Sequence, residues 1–208
     1  MDSDNYFDHP ASGYSLRLTG EPLLFYELRQ LAKLHLQGLS VEQLQLQAAS
    51  DNVLQRRTDK SFRKIFNAAN NRLLQLDRPM QTILASGDTA DARIIALYAL
   101  CLEHRLFAEF LQETYAPQLA ASATALAAGD VSRFLDTKAP AAPNIAALRD
   151  STRQKLRSVF FVILAQAGLI NNTRERVLTR PFVSAETHDL LRAAPYGRQF
   201  MQSIGGGV

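Results

Sequence analysis

A single cysteine, Cys101, stands in the whole chain, which excludes an intrachain disulfide and a cysteine-based zinc site. Its surroundings, Ile94 to Leu102, are almost wholly apolar, so the thiol reads as a small buried hydrophobe rather than a reactive group. The four histidines, His9, His35, His104 and His188, lie in separate segments without ligand spacing. No glycine-rich phosphate loop, HExxH, GxSxG or GxGxxG pattern occurs. On these absences no catalytic residues, metal, cofactor or small-molecule substrate are expected, although distant residues can still assemble a site in space. Long apolar runs are missing too: the longest uncharged stretches, such as Ser158–Thr173, fall short of the roughly 20 residues that span a bilayer. The chain begins Met-Asp-Ser-Asp-Asn, with no basic leader, and a soluble cytoplasmic protein with no membrane partner is expected.

What is present is a large apolar fraction and an uneven charge. Of the 208 residues 47% are apolar, ample for a core. The net charge of +3 is small, but its distribution is not uniform. Ser40–Leu76 has six Lys/Arg against three acids, and Arg149–Arg180 has seven against two. Between them, Asp77–Leu148 has five against eight. Two basic islands on a mildly acidic body suit a polyanion partner, although chance lumping of charges produces such patterns as well.

The first island contains the most informative stretch, Thr58–Leu76. At the helical period, Phe62, Ile65, Phe66, Ala69, Leu73 and Leu76 share a sector of about 100°. Lys60, Arg63, Lys64, Asn67 and Asn71 share a sector almost opposite, with no carboxylate among them. These are side chains that reach phosphates and base edges. The plain alternative is a solvated helix face, although such faces usually mix signs for i,i+4 pairing.

Residues 1–13 read as a flexible tail. A helix from Leu23 to Gly38, a second opened by the capping box Ser40-Val-Glu-Gln43, and the two-faced helix capped by Thr58 form an N-terminal helix-turn-helix-like module over residues 14–76. Pro79 is expected just after that helix, and Asp91–Thr114 as one apolar helix closed by Pro117 within a central bundle, residues 77–145. A short helical piece, Val131–Leu135, precedes Lys138-Ala-Pro-Ala-Ala-Pro143, which reads as a linker. The last module, residues 146–208, is winged-helix-like. Ser151-Thr-Arg-Gln154 is a capping-box pattern opening a helix that ends at Gly168. Val177–Val183 is a candidate strand, Ser184–Leu191 a short helix, and Gly205–Gly207 a frayed end. Arg153 and Arg157 on the helix, with Arg174, Arg176 and Arg180 around the wing, are candidate phosphate contacts, as are Arg56 and Arg57 ahead of the two-faced helix. For any single arginine, pairing with an acid of the central body is the alternative.

Three blocks carry a family resemblance: "YSLRLTGEPLLFYELRQLAKLHLQGLS", "NVLQRRTDKSFRKIFNAANNRL" and "RFLDTKAPAAPNIAALRDSTRQKLRSVFFVILAQAGLI". In order and spacing they resemble the BrxA family of BREX phage-defence systems, from about Tyr14 to Phe182. Glu21 stands where that pattern has a second glycine after Gly20. The resemblance implies a mainly α, non-enzymatic protein with a NusB-like bundle, encoded with a methyltransferase and a large ATPase. It implies double-stranded DNA as ligand and other BREX proteins as partners. The NusB relation also raises RNA, but A-form RNA hides its base edges in a narrow groove, so a protruding basic helix favours B-DNA. The competing reading is an adaptor whose basic faces dock an acidic surface of a larger BREX subunit.

Overall fold

The structure, a computed structural model, describes residues 14–206. The tail 1–13, with His9, and Gly207 lie outside the described residues. The chain is mainly helical. In order it forms α1 (Phe25–His35), α2 (Val41–Ser50), α3 (Asp59–Leu73), α4 (Arg78–Ser86), α5 (Thr89–Glu103) and α6 (Arg105–Phe110). After a π-helical turn, Leu111–Tyr115, come α7 (Ala116–Ala120), α8 (Asp130–Lys138), α9 (Pro143–Ala146) and α10 (Asp150–Ala167). The chain ends in α11 (Ala185–Ala193) and α12 (Gly197–Ser203). No described helix is long and apolar enough to cross a membrane.

Local chemistry explains most helix starts. Ser40 and Gln43 exchange side-chain and backbone bonds in a full capping box at α2. Thr58, Asp77, Asp88 and Ser184 each accept a backbone N–H at the starts of α3, α4, α5 and α11. At the end of α10, Gly168 takes φ +79°, a left-handed residue that lets the chain turn back.

α5 is the axis of the core. Apart from half-buried Arg93, every residue from Asp91 to Cys101 is buried. α1 packs on α3 and α4, and α3, α4 and α10 pack on α5. Beyond α5, Phe107, Phe110, Phe134 and Phe160 form an edge-to-face aromatic cluster that ties α6, α8 and α10 together. One cluster of buried residues runs from Leu18 to Ile204.

Several sequence expectations need correction. Pro79 does come after the end of α3, but it also opens the next helix, sitting in the first turn of α4 where its missing N–H costs nothing. Asp91–Thr114 is not one helix. It breaks at His104, which leaves helical geometry so that its buried ring can meet Arg72, with Nε2 3.1 Å from the guanidinium. Pro117 does not close the helix either. The π turn widens the backbone ahead of it, giving the proline ring room, and helix resumes through it as α7. Lys138–Pro143 is no linker: it holds a 3-10 turn, Ala139–Ala141, and leads into α9. The Lys138 ammonium sits 2.6 Å from both Glu109 and Glu113, and Ala142 and Ile145 are buried. α10 starts at Asp150, with Arg149 at its cap position and no side-chain cap, so the Ser151 capping box does not form.

The strand expected at Val177–Val183 is replaced by two isolated antiparallel bridges, Ala125 with Val177 and Ile170 with Leu178. Side chains take over the backbone groups a hairpin would use. Asn171 accepts from the Val177 N–H, Asn172 from the Arg174 and Glu175 N–H groups, and Pro181 has no N–H to give. The Tyr115 hydroxyl, inside the π turn, lies 2.7 Å from the Thr179 carbonyl and 3.0 Å from that of Leu169. Burial pushes its ionisation well above the ordinary tyrosine value. At the other end, Gly205 and Gly206 close α12 through bonds back to Gln202 and Met201 rather than fraying.

Candidate nucleic-acid interface

α3 divides as its spacing predicts. Phe62, Ile65, Phe66, Ala69, Leu73 and Leu76 are all buried. Lys60, Arg63, Lys64, Asn67 and Asn71 are all exposed. Arg57, in the connector before the helix, is exposed as well. Among the described residues Arg57, Lys60 and Arg63 make no ion pair, while Lys64 stands 3.8 Å from Glu21 at the edge of the face. Arg56 is different: its guanidinium is ion-paired to Glu27 of α1.

The residue that fixes this face was not singled out from sequence. Arg72, near the end of α3, is fully buried. Its Nε donates to Glu103 at 2.8 Å, and its terminal nitrogens donate to the carbonyls of Glu21, Pro22 and Leu23. One guanidinium therefore clamps α3 to the chain entering α1 and to the end of α5. Burial alone would raise the Glu103 carboxyl; bonds to His104 and Arg72, with the Arg72 charge, outweigh it and hold the group at about 2. The signal was legible: Ile65, Ala69, Arg72 and Leu76 recur at i, i+4, i+7 and i+11, placing an arginine within an apolar stripe.

The second island is spread and partly engaged by the protein itself. Arg153 pairs with Asp136 of α8 at 2.6 Å. Arg157 is half-buried. Arg174 and Arg180 are exposed, with Arg180 at the rim of a recess beside Leu119 and Gly205. Arg176 turns inward: Nε donates to the Leu126 carbonyl at 3.1 Å, Nη1 to Thr173 at 3.2 Å, and the group lies 5.4 Å from the Phe161 ring centre. Two of the five arginines of this cluster, Arg153 and Arg176, are therefore already committed to partners within the protein.

Comparison with known proteins bears on what this architecture is. The BrxA family profile matches residues 12–194. A relative from Bacillus cereus (strain H3081.97), named BREX protein BrxA, is 28% identical over 181 residues, covering 86% of this chain and 90% of its own. A protein of the same name from Escherichia coli O9:H4 (strain HS) is 26% identical over 187 residues, covering 90% and 87%. In three dimensions, the crystal structure of an uncharacterized protein from Magnetospirillum magneticum superposes with a TM-score of 0.77 at 24% identity, covering 93% of this chain and 98% of that one. The match over nearly the whole chain, on a helical core that a solved structure shares, shows that the protein belongs to the BrxA family.

Proposed function

We propose that this chain is a BREX phage-defence component that binds double-stranded DNA through phosphate contacts without strict sequence preference. The relatives' names support the first half of that reading. The observation that carries the second is the outer face of α3: three exposed cations and two amides, free of carboxylates, on a helix locked from behind by Arg72. In this reading Lys60, Arg63 and Lys64 are the central contacts, Arg57 flanks them, and exposed Asn67 is the amide that would meet a base edge. Arg174 and Arg180, both exposed, add a second contact. Arg56, Arg153, Arg157 and Arg176 contribute less, because Glu27, Asp136, partial burial and backbone carbonyls already engage them. In the cell this activity would place or regulate a BREX assembly on DNA.

Fluorescence anisotropy with a mixed-sequence duplex of about 30 base pairs across a salt series tests the reading. Log affinity should fall by about 0.9 per neutralised phosphate against log salt. Absence of binding at low salt overturns it, and a matched RNA duplex that wins in competition reassigns the ligand. A second reading, docking onto a larger BREX subunit, draws support from Phe182, a large aromatic left 78% exposed beside Arg180. In that case Phe182→Ser loses a co-purifying BREX protein while duplex affinity stays unchanged.

A further inference from the structure

A cleft of about 450 Å³ opens between the start of α1, α3, α5 and the end of α10. That volume is in the range of sites that enclose a nucleotide-sized molecule. Its polar lining is Arg56, Arg93, Glu27, Tyr26 and Gln166. Arg93, from the second turn of α5, has no hydrogen bond or ion pair among the described residues, and its Nε is buried without a partner. The Nε of Arg56 is buried and unbonded too, although its outer nitrogen holds Glu27. Two guanidinium groups whose donors the protein leaves incompletely bonded line one cleft, a donor set that suits an anionic ligand.

The surrounding field favours an anion. The Arg93 and Arg29 guanidinium groups lie 5.8 and 6.0 Å from the centre of the Phe25 ring. Only Glu27 opposes them within the cleft lining, and Arg56 already neutralises it. At the cleft wall, the residue before α1, Leu24, is held at φ +54° and provides no side-chain cap, so the first amides of the helix add donors. Guanidinium forks suit phosphate, the 45% exposed ring of Tyr26 suits a base, and a carboxylate such as Glu27 accepts from sugar hydroxyls.

The geometry points to a nucleotide-binding site in this cleft, with the Arg93 and Arg56 guanidinium groups holding a phosphate and Tyr26 and Glu27 meeting base and sugar. The phosphate ester can come from a free nucleotide or from a nucleic-acid strand passing α3, whose residue Ile65 shares the cleft wall. The site's donors are Arg93 and Arg56 rather than Lys60 and Arg63 of the outer α3 face, so its test is separate from that of DNA binding.

Isothermal titration of the full chain with ADP, and separately with inorganic phosphate, is the experiment. Saturable ADP binding is expected, weakened at least tenfold by Arg93→Gln and unchanged by Arg63→Glu. Arg93→Lys keeps the charge and the packing on Phe25 but loses the fork, and should also weaken binding if Arg93→Gln fails to fold. In the unsubstituted protein, ADP should shift the amide resonances of Phe25, Tyr26 and Glu27. If ADP and phosphate fail to bind but Arg93→Gln weakens a duplex, the site holds and its phosphate belongs to the strand. If ADP and duplex affinities are both indifferent to Arg93→Gln, the proposal is wrong.

Discussion

α3 carries four Lys/Arg and the Arg153–Arg180 stretch six, and the protein treats the two sets differently in kind. On α3 the roles are divided within one helix: Arg72 is spent entirely inside, and Lys60 and Arg63 entirely outside. In the later stretch single side chains are divided, with Arg153 and Arg176 partly exposed and partly committed to the protein. A charge count along the sequence treats both islands alike. What separates them is whether each guanidinium already has acceptors, which only packing decides.

The sharpest way to test that contrast is to remove the arginine spent inside. Arg72→Ala leaves three carbonyls of the α1 entry without their donor and the Glu103 carboxylate with only His104 and Arg17 near it. Loss of one partner from a buried pair costs about 3–5 kcal/mol, to be read from urea unfolding midpoints. A change near 1 kcal/mol would mean that α3 does not need its clamp. Next in size is the outer face. Lys60→Glu, Arg63→Glu and Lys64→Glu together should flatten the salt dependence of duplex binding by about 2.7, three phosphate contacts at about 0.9 each. Arg174→Glu with Arg180→Glu should flatten it by less than about 1.8 on the same scale. Equal slopes for the two sets would erase the distinction.

Acid titration probes the clamp from its other side. The Glu103 carboxyl sits at about 2, below its ordinary 4.5. A depressed folded value stabilises the fold above the ordinary one, and that contribution disappears as pH falls towards 2. Thermal unfolding followed from pH 5 to 2 should therefore show a falling midpoint, and Glu103→Gln should make that fall shallower. The smallest effect belongs to the half-exposed pair. Arg153→Ala should cost at most about 1 kcal/mol in the same unfolding assay, because solvent screens such pairs.

Much of the fold was legible. The two faces of α3, its Thr58 cap, the Ser40 capping box and the Gly168 stop follow from local periodicity and cap chemistry, and each is seen. Two of the expected features that did not form depended on contacts distant in sequence. His104 breaks a helix of good local propensity because its ring meets Arg72, 32 residues away. Lys138 looks like the start of a linker until Glu109 and Glu113 bind it. α12 was missed because its helical character comes largely from packing: Phe200 and Met201 are buried, and Phe200 meets Tyr98 of α5 edge-on. For the candidate site, spacing revealed which α3 residues face out. It could not show that Arg176 turns back onto Leu126, or that Arg93 lines the same cleft as Arg56.

Tyr115 gives the later arginines a property their exposure alone does not convey. A phenol has one hydrogen, and two carbonyls, those of Leu169 and Thr179, compete for it from either end of the segment that carries Arg174 and Arg176. The segment is thus gathered at its base onto one ring within the core. Much of the conformational entropy that a free loop would lose on meeting a polyanion has been surrendered during folding. Tyr115→Phe would remove one tie from each end at once while backbone bonds such as that from the Thr179 N–H to the Leu169 carbonyl remain, leaving the same charges on the loop but a somewhat greater ordering cost when it binds.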